Sequence, residues 1–465
     1  MIPEIIIASF SLLLLLLQAF NKKIKYIFPY AAIVSLLAAL VFTLISPVIP
    51  QAQFEGVWRF DNMSRFFDLI FIIGSLLVIL LSVRYAKEEH IDHGEYYALI
   101  LLATAGMMVM ASAVDFILIF LGLELLSISL YALAGVTRGR SISSESSFKY
   151  FILGAFATAF LLYGMSLIYG ATGSTNIEVI ATILGPNTEG NVMLHAGILF
   201  LIVGFGFKTA LVPFHMWTPD VYEGAPSVVT AFMASGPKAA SFAAFLRILI
   251  TAFPEESQLW GSVLWILAAL TMTAGNLMAL VQTNVKRMLA YSSIAHAGYV
   301  LVAFLASKEE SIRSVAFYML AYTFMSTGAF AIISMLAEKG ERFLHVDDFK
   351  GLAFKRPVLA GLLSLFLFSL AGMPPTGGFT AKFLVFSSAV HSGFIYLTII
   401  GVLNSALSVY VYLKLTVAMY MKEEGRIYQM EAVPYTDRFA LILSATGIGA
   451  MGIFPSAFLS ILNLT

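Results

Sequence analysis

Four charged residues set inside otherwise apolar stretches carry the chemistry this sequence offers: Glu124, Lys208, Lys238 and Lys382. A charge at mid-bilayer depth costs about 2.5 to 3.5 kcal/mol on insertion scales, so such groups face a bundle interior or a water-filled cavity and mark an ion or proton path. A buried lysine suits proton exchange because loss of solvent weakens its hold on the proton, while an approaching carboxylate strengthens it. Arginine stays protonated under essentially all conditions and could not serve in this way. Glu124 is the only carboxylate read as lying well inside an apolar run, and Lys208 is expected to be its ion-pair partner.

Two further embedded cations, Arg247 and Lys414, lie nearer the ends of their runs, where long side chains snorkel or pack. Lys414 stays a candidate exit group. His296, in Ser292-Ser293-Ile294-Ala295-His296, is either a relay active near neutral pH or a packing histidine. His215 and Asp220 fall in the polar connection after Pro213 and are read as structural loop residues.

These groups must be positioned by membrane helices. The 465 residues are 60% hydrophobic and 12% charged, far from the composition of soluble domains. Spans of about 20 apolar residues that satisfy their own backbone hydrogen bonds favour an all-α integral membrane bundle. Residues 1–20 lack a basic n-region and are read as a retained first span rather than a signal peptide. The absence of Cys excludes cysteine-ligated iron–sulfur clusters and disulfides, and equal numbers of cations and anions give no support for nucleic-acid binding. No metal or nucleotide motif occurs.

Apolar runs predict fourteen spans: 2–20, 26–46, 66–83, 97–114, 116–136, 149–170, 195–212, 226–252, 260–281, 289–306, 313–337, 358–391, 394–421 and 438–463. The run 358–391 contains Gly372-Met373-Pro374-Pro375-Thr376-Gly377-Gly378 and reads as a broken helix, with Lys382 just beyond. Gly236-Pro237 precede Lys238, and Gly204 and Gly206 precede Lys208 with Pro213 after it, so each buried lysine adjoins a perturbed helix. Alternate placement of the remaining twenty-two cations puts eighteen on one side, among them Lys22, Lys23, Lys25, Arg84, Lys286, Arg287, Lys339, Lys422 and Arg426. Only Arg59, Arg65, Lys308 and Arg313 fall on the other, which predicts a cytoplasmic first side and both termini outside. Residues 1–96 form an N-terminal three-helix segment, 97–252 and 260–421 two five-span units inverted relative to each other, and 438–463 a last helix. Phe245-Leu246-Arg247-Ile248 and Tyr412-Leu413-Lys414-Leu415, near the ends of the two units, give faint support for a repeat.

The runs Gly204-Phe205-Gly206-Phe207-Lys208, PFHMWTPDVYEGAPS from Pro213, Ala234-Ser235-Gly236-Pro237-Lys238 and Gly378-Phe379-Thr380-Ala381-Lys382 resemble the antiporter-like membrane subunits of NADH-quinone oxidoreductase, respiratory complex I. Gly122-Leu123-Glu124-Leu125-Leu126 and Lys286-Arg287-Met288-Leu289-Ala290-Tyr291-Ser292-Ser293 extend the likeness over nearly the whole chain. The Trp217–Pro226 run is most similar to the subunit N family, and the lack of a long C-terminal extension argues against subunit L. The resemblance implies a fourteen-helix core with inverted five-helix repeats and discontinuous seventh and twelfth helices. It also implies a coupling pair of Glu124 with Lys208, a central relay at Lys238 and a proton-handling Lys382 in the second unit. It places FMN, iron–sulfur clusters and quinone in partner subunits, with this chain a non-redox part of a proton-pumping complex in the bacterial inner membrane. The alternative is the large subunit of a multisubunit Na+/H+ antiporter.

Overall fold

The computed structural model describes residues 1–20, 26–54, 56–185, 191–338, 340–421 and 433–462. Lys22, Lys23, Lys25, Lys339, Lys422 and Arg426, all counted above, lie outside the described residues, as does residue 463 at the end of the expected last span. The chain opens with helices α1 (Ile2–Phe20) and α2 (Ile27–Ile45), then a short antiparallel hairpin, β1 (Ile49–Gln53) and β2 (Trp58–Phe60). There follow α3 (Asn62–Glu88), α4 (Gly94–Ser112), α5 (Phe116–Ala134), α6 (Ser141–Thr172), the short α7 (Ile177–Leu184), α8 (Val192–Thr209), α9 (Trp217–Gly224), α10 (Ser227–Ala234) and α11 (Gly236–Ala252). The second half comprises α12 (Ser257–Val281), α13 (Val285–Ala303), α14 (Lys308–Leu336), a 3-10 turn at Val346–Phe349, α15 (Leu352–Lys355), α16 (Pro357–Ala371), α17 (Gly377–His391), α18 (Ile395–Met421), α19 (Tyr435–Ile453) and α20 (Pro455–Leu459).

Each expected apolar run coincides with one helix or one pair of half-helices. Among the described residues ten helices are long and apolar enough to span a bilayer, or eleven if α19 and the segment after its 99° bend count as one. Fourteen crossings therefore require that the split pairs α10/α11 and α16/α17 and the polar α13 also cross. α14 is buried along its whole apolar window and α3 along nearly all of it, so these two form the axis of the bundle. α1, α2, α6 and α18 are buried along well under half of their apolar windows and form its rim, in keeping with side chains that meet lipid or a neighbouring subunit.

Certain backbone contacts recur at a fixed interval. Asp115 bridges Asn176, and Asn284 bridges His345, so both members of the second bridge lie 169 residues beyond those of the first. The side chains of Asp115 and Asn284 each cap a helix by accepting from the amide two residues on, at 2.8 Å in both cases. A Cβ on Gly106 would meet the Leu126 backbone nitrogen at 2.8 Å, and one on Gly275 would meet that of Ala295 at 2.6 Å, again 169 residues further along. α4 against α5 and α12 against α13 thus cross at glycines in the same way.

Arg247 does not snorkel. It is 3% exposed and makes a bidentate pair with Asp61, at 2.7 and 2.8 Å. Asp61 also caps α3 in a reciprocal box with Ser64. Burial pushes the Asp61 carboxyl up, but the Arg247 guanidinium and the Ser64 bonds outweigh it and hold the group down to about 2. A carboxyl depressed from 3.8 contributes stability that is present above pH ~4 and lost as pH falls towards 2, roughly 2 kcal/mol here. Asp61→Asn should therefore lower the thermal midpoint of the detergent-solubilised protein at neutral pH, with the gap to wild type closing between pH 4 and 2. A gap independent of pH would show that charge is not the cause.

Lys414 donates to Gln282 O at 2.9 Å and Leu280 O at 3.4 Å, satisfying carbonyls at the end of α12. This is a capping contact, so the packing alternative describes it.

Candidate functional site

α8 ends at Thr209 because Ala210 turns into the left-handed region, φ +63°, and the helical path resumes only at Trp217. The Trp217 indole donates to Phe207 O at 2.9 Å and ties the two pieces together. Lys208, one residue before the stop, donates to Ser127 Oγ at 2.7 Å and Tyr131 OH at 3.2 Å, its Nζ 5.5 Å from the Tyr131 ring centre. Ser127 and Tyr131 lie three and seven residues beyond Glu124, on the same side of α5.

The expected Glu124 and Lys208 ion pair is not formed as a direct contact. Glu124 Oε1 accepts instead from Thr158 Oγ1 of α6 at 3.0 Å. The hydroxyls of Ser127 and Tyr131 take up the ammonium protons that the carboxylate was expected to receive. Glu124 is half-buried, flanked by the exposed Leu121, Leu125 and Ile128, and thus lies at the rim of the bundle. It is also not the only carboxylate inside a helix. Asp68 of α3 is wholly buried with neither oxygen hydrogen-bonded, and Glu4 of α1 is 6% exposed. Beginning the third span at 66 hid the first, and an apolar N-terminal run hid the second.

Lys238 enters where the backbone leaves helical geometry at Ser235, φ −96° and ψ −95°, between α10 and α11. It is 3% exposed and donates to Ser293 O at 2.9 Å and to Ser293 Oγ. Next along α13, Ser292 Oγ bonds Tyr412 OH at 2.6 Å, and the same hydroxyl lies 3.2 Å from His296 Nε2. His296 Nδ1 pairs with Tyr318 OH at 2.7 Å, so both ring nitrogens are engaged and the imidazole joins α13, α14 and α18.

Lys382 is reached next. Its Nζ donates to Ala371 O, the last residue of α16, and to Ser405 Oγ, each at 2.9 Å, and stands 4.8 Å from the Tyr299 ring centre. Tyr299 itself receives a bond from Asn276 Nδ2 at 3.0 Å and its ring lies 5.7 Å from that of His296. Gly372, at φ +87°, turns the chain out of α16 beside the lysine stem, where an added Cβ would touch Lys382 Cδ at 2.9 Å. A cavity of about 560 Å³ lined by Met373, Phe379, Phe386 and Ser405 gives Lys382 room to move.

Lys238, His296 and Lys382 thus each engage groups carried by α13 or bonded to it, Ser293, Tyr412 and the Tyr299 ring in turn, while Lys208 has its own hydroxyl pair. Asp220, expected in a connecting loop, lies within α9 and clamps Lys149 and Arg287, each at 2.8 Å. His215 lies in the stretch between α8 and α9. Sequence reading missed a second buried pair, Lys286 with Glu341 at 2.7 Å, both side chains essentially inaccessible.

A helical membrane bundle whose buried lysines sit at helix breaks is of the antiporter-like class, and residues 113–408 match the family described as NADH:quinone oxidoreductase/Mrp antiporter, TM. The chain belongs to the subunit N family of NADH-quinone oxidoreductase. It is 49% identical over 459 residues to NADH-quinone oxidoreductase subunit N of Trichlorobacter lovleyi, covering 98% of this chain and 94% of that one. Against subunit N 2 of Koribacter versatilis the identity is 43% over 468 residues, covering 99% and 94%. Among solved structures, a chain of respiratory complex I from Thermus thermophilus superposes with a TM-score of 0.86 at 36% identity, covering 99% of each. A chain of the Mrp complex from Dietzia sp. gives 0.83 at 19% identity, covering 99% and 96%, a likeness of fold alone.

Proposed function

We propose that this chain is a proton-translocating membrane-arm subunit of NADH-quinone oxidoreductase, with Glu124, Lys208, Lys238 and Lys382 as its proton-handling groups and His296 as a relay. The carrying observation is the row of polar groups along α13 between the two lysines, with Ser293 on Lys238, Ser292 and His296 both on Tyr412, and the Tyr299 ring facing Lys382. Hydroxyls and imidazole can each accept a proton on one side and release one on the other, so such a row moves protons through a region closed to bulk water. The chain has no Cys, so iron–sulfur clusters held by thiolates belong to partner subunits, with FMN and quinone, and this subunit is non-redox. Its partners are other membrane-arm subunits and the bilayer of the bacterial inner membrane.

Coupling acts on the Lys208 site. With its ammonium resting on Ser127 and Tyr131, one turn from Glu124, a small shift of α5 or α8 brings the two charges together or parts them. That movement alters how strongly Lys208 holds its proton and so the field felt by Lys238. The constant spacing of 169 residues between the paired caps, bridges and glycine crossings supports two equivalent five-helix units, 97–252 and 260–421, flanked by 1–96 and 438–463. An odd number of crossings inverts the second unit, and the charge distribution then puts both termini on the outer side.

Replacing Glu124 or Lys208 with Ala should cut proton pumping and coupled quinone reductase activity at least fivefold, equivalent to about 1 kcal/mol in the limiting barrier, with assembly intact. Wild-type rates in an assembled complex would overturn the role. Purification with flavin and iron–sulfur subunits is the expected result for the native protein; recovery only with other transporter subunits favours the Na+/H+ antiporter reading.

A further inference from the structure

The face bearing most of the cations also holds a cavity of about 380 Å³ between the end of α3 and the end of α14, acidic on balance, with Glu88, Glu89, Glu338 and Glu341 in its walls against Lys87 and His90. Glu88 is half exposed at its mouth, whereas the Glu341 carboxylate at its inner end is 1% exposed. Glu341 is held from the inside by the Lys286 ammonium at 2.7 Å, by the Ser227 hydroxyl at 2.8 Å and its backbone amide, and by the Tyr85 hydroxyl. Lys286 spends a second donor on Ala225 O. The pair therefore grips Ala225 to Ser227, the joint between α9 and α10.

Three residues before that joint, on α9, stands Tyr222, completely buried. It lies beside Ser293, the residue that holds Lys238. An ion pair serving only as a latch could be replaced by well-packed apolar residues at little or no loss of stability. This one instead stands between a surface cavity and a buried tyrosine hydroxyl that faces Ser293 and, through it, the central lysine.

We propose that the Glu341–Lys286 pair is the gate of a proton inlet running from the acidic cavity past Tyr222 and Ser293 to Lys238. A proton taken from cavity water neutralises the Glu341 carboxylate and loosens its hold on Lys286 and the joint. It then leaves Glu341 for the hydroxyl row, where each group takes one proton and passes one on, and comes to rest on neutral Lys238. Glu341 ends as the carboxylate again and re-forms the pair, so the only net change is that Lys238 has gained the proton that the cavity water gave up. Glu88, Glu89 and Glu338 at the cavity raise the local proton concentration by attracting cations.

The inlet rests on the proposed proton-translocating function, and one set of variants separates the two. Glu341→Gln keeps the shape of the side chain but not its charge, and Tyr222→Phe removes only the buried hydroxyl beside Ser293. In membrane vesicles carrying the assembled complex, both should lower pumping several-fold, as should Lys238→Met. If Glu341→Gln fails to assemble, Tyr222→Phe decides. Full pumping by Tyr222→Phe and by any assembled Glu341→Gln, beside a defective Lys238→Met, overturns the inlet alone; full pumping by Lys238→Met overturns the underlying function. Access supplies a readout that a latch would not move. Ala337→Cys in the cavity wall, modified with a bulky membrane-impermeant thiol reagent from the cation-rich face, should slow turnover relative to treated wild type. Unchanged turnover after complete modification overturns the proposal.

Discussion

Methionine in place of Lys238 should give an assembled complex whose proton pumping, and the quinone reduction tied to it, fall at least tenfold, equivalent to about 1.4 kcal/mol in the limiting barrier. Methionine matches the length of lysine and is apolar, so a site that is 3% exposed loses a charge and gains packing. The bonds lost are those to Ser293 O and Oγ; the carbonyl lies within α13, and the hydroxyl can turn elsewhere. Assembly should therefore survive while the path loses its central carrier. Lys238→Arg sharpens the result, because guanidinium keeps the charge and the donors but does not release its proton. If charge only fixes the helices, the arginine variant pumps normally; if proton exchange is the role, both variants fail. Vesicle acidification measured against NADH oxidation separates these outcomes.

Alanine at Gly378 should destabilise the protein by about 3 kcal/mol or more, the scale of severe overpacking. An added Cβ would lie 1.8 Å from Ser369 O and 2.9 Å from Met325 Sδ, and the first of these is backbone that cannot step aside. α17 would have to move away from α16, breaking the bond from Gly378 N to Ser369 Oγ and carrying Lys382 off Ala371 O. Reduced amounts of assembled complex and a lowered thermal midpoint are the expected readouts. Gly361→Ala, on the partner half-helix α16 but with nothing nearer than Tyr420 OH at 3.9 Å, should stay within about 0.5 kcal/mol of wild type. Equal behaviour of the two alanines would show that the close crossing is not what holds the break.

Composition and punctuation made the bundle legible: long apolar runs have few alternatives in a bilayer, and Gly372 to Gly378 cannot continue a helix. The three lysines stood out because each adjoins a glycine or proline break in a run that, apart from Arg247, holds no other Lys, Arg, Asp or Glu. What failed to show is set by contacts between distant segments. Glu124 and Lys208 looked like natural partners, but Ser127 and Tyr131 bond the lysine, and serine and tyrosine are unremarkable in a helix. Lys286 and Glu341 lie 55 residues apart in stretches that read as solvated connections, and only the fold closes α3, α10 and α13 over them. Arg247 looked like a snorkelling side chain because its partner, Asp61, belongs to a remote helix cap.

The recurring 169-residue interval also bears on how such a chain came to sit in its membrane. Asn176 leads into α7 and His345 into the turn at Val346–Phe349, yet residues 346–356 contain Lys350, Lys355 and Arg356 while residues 177–191 contain no Lys or Arg. The same structural joint, used twice, bears opposite electrical labels. A five-helix ancestor copied in tandem would begin with identical labels on both copies, and one copy would resist entering upside down. A register kept in the helix crossings while the connections differ in charge would let two like-built units meet the two sides of a membrane differently.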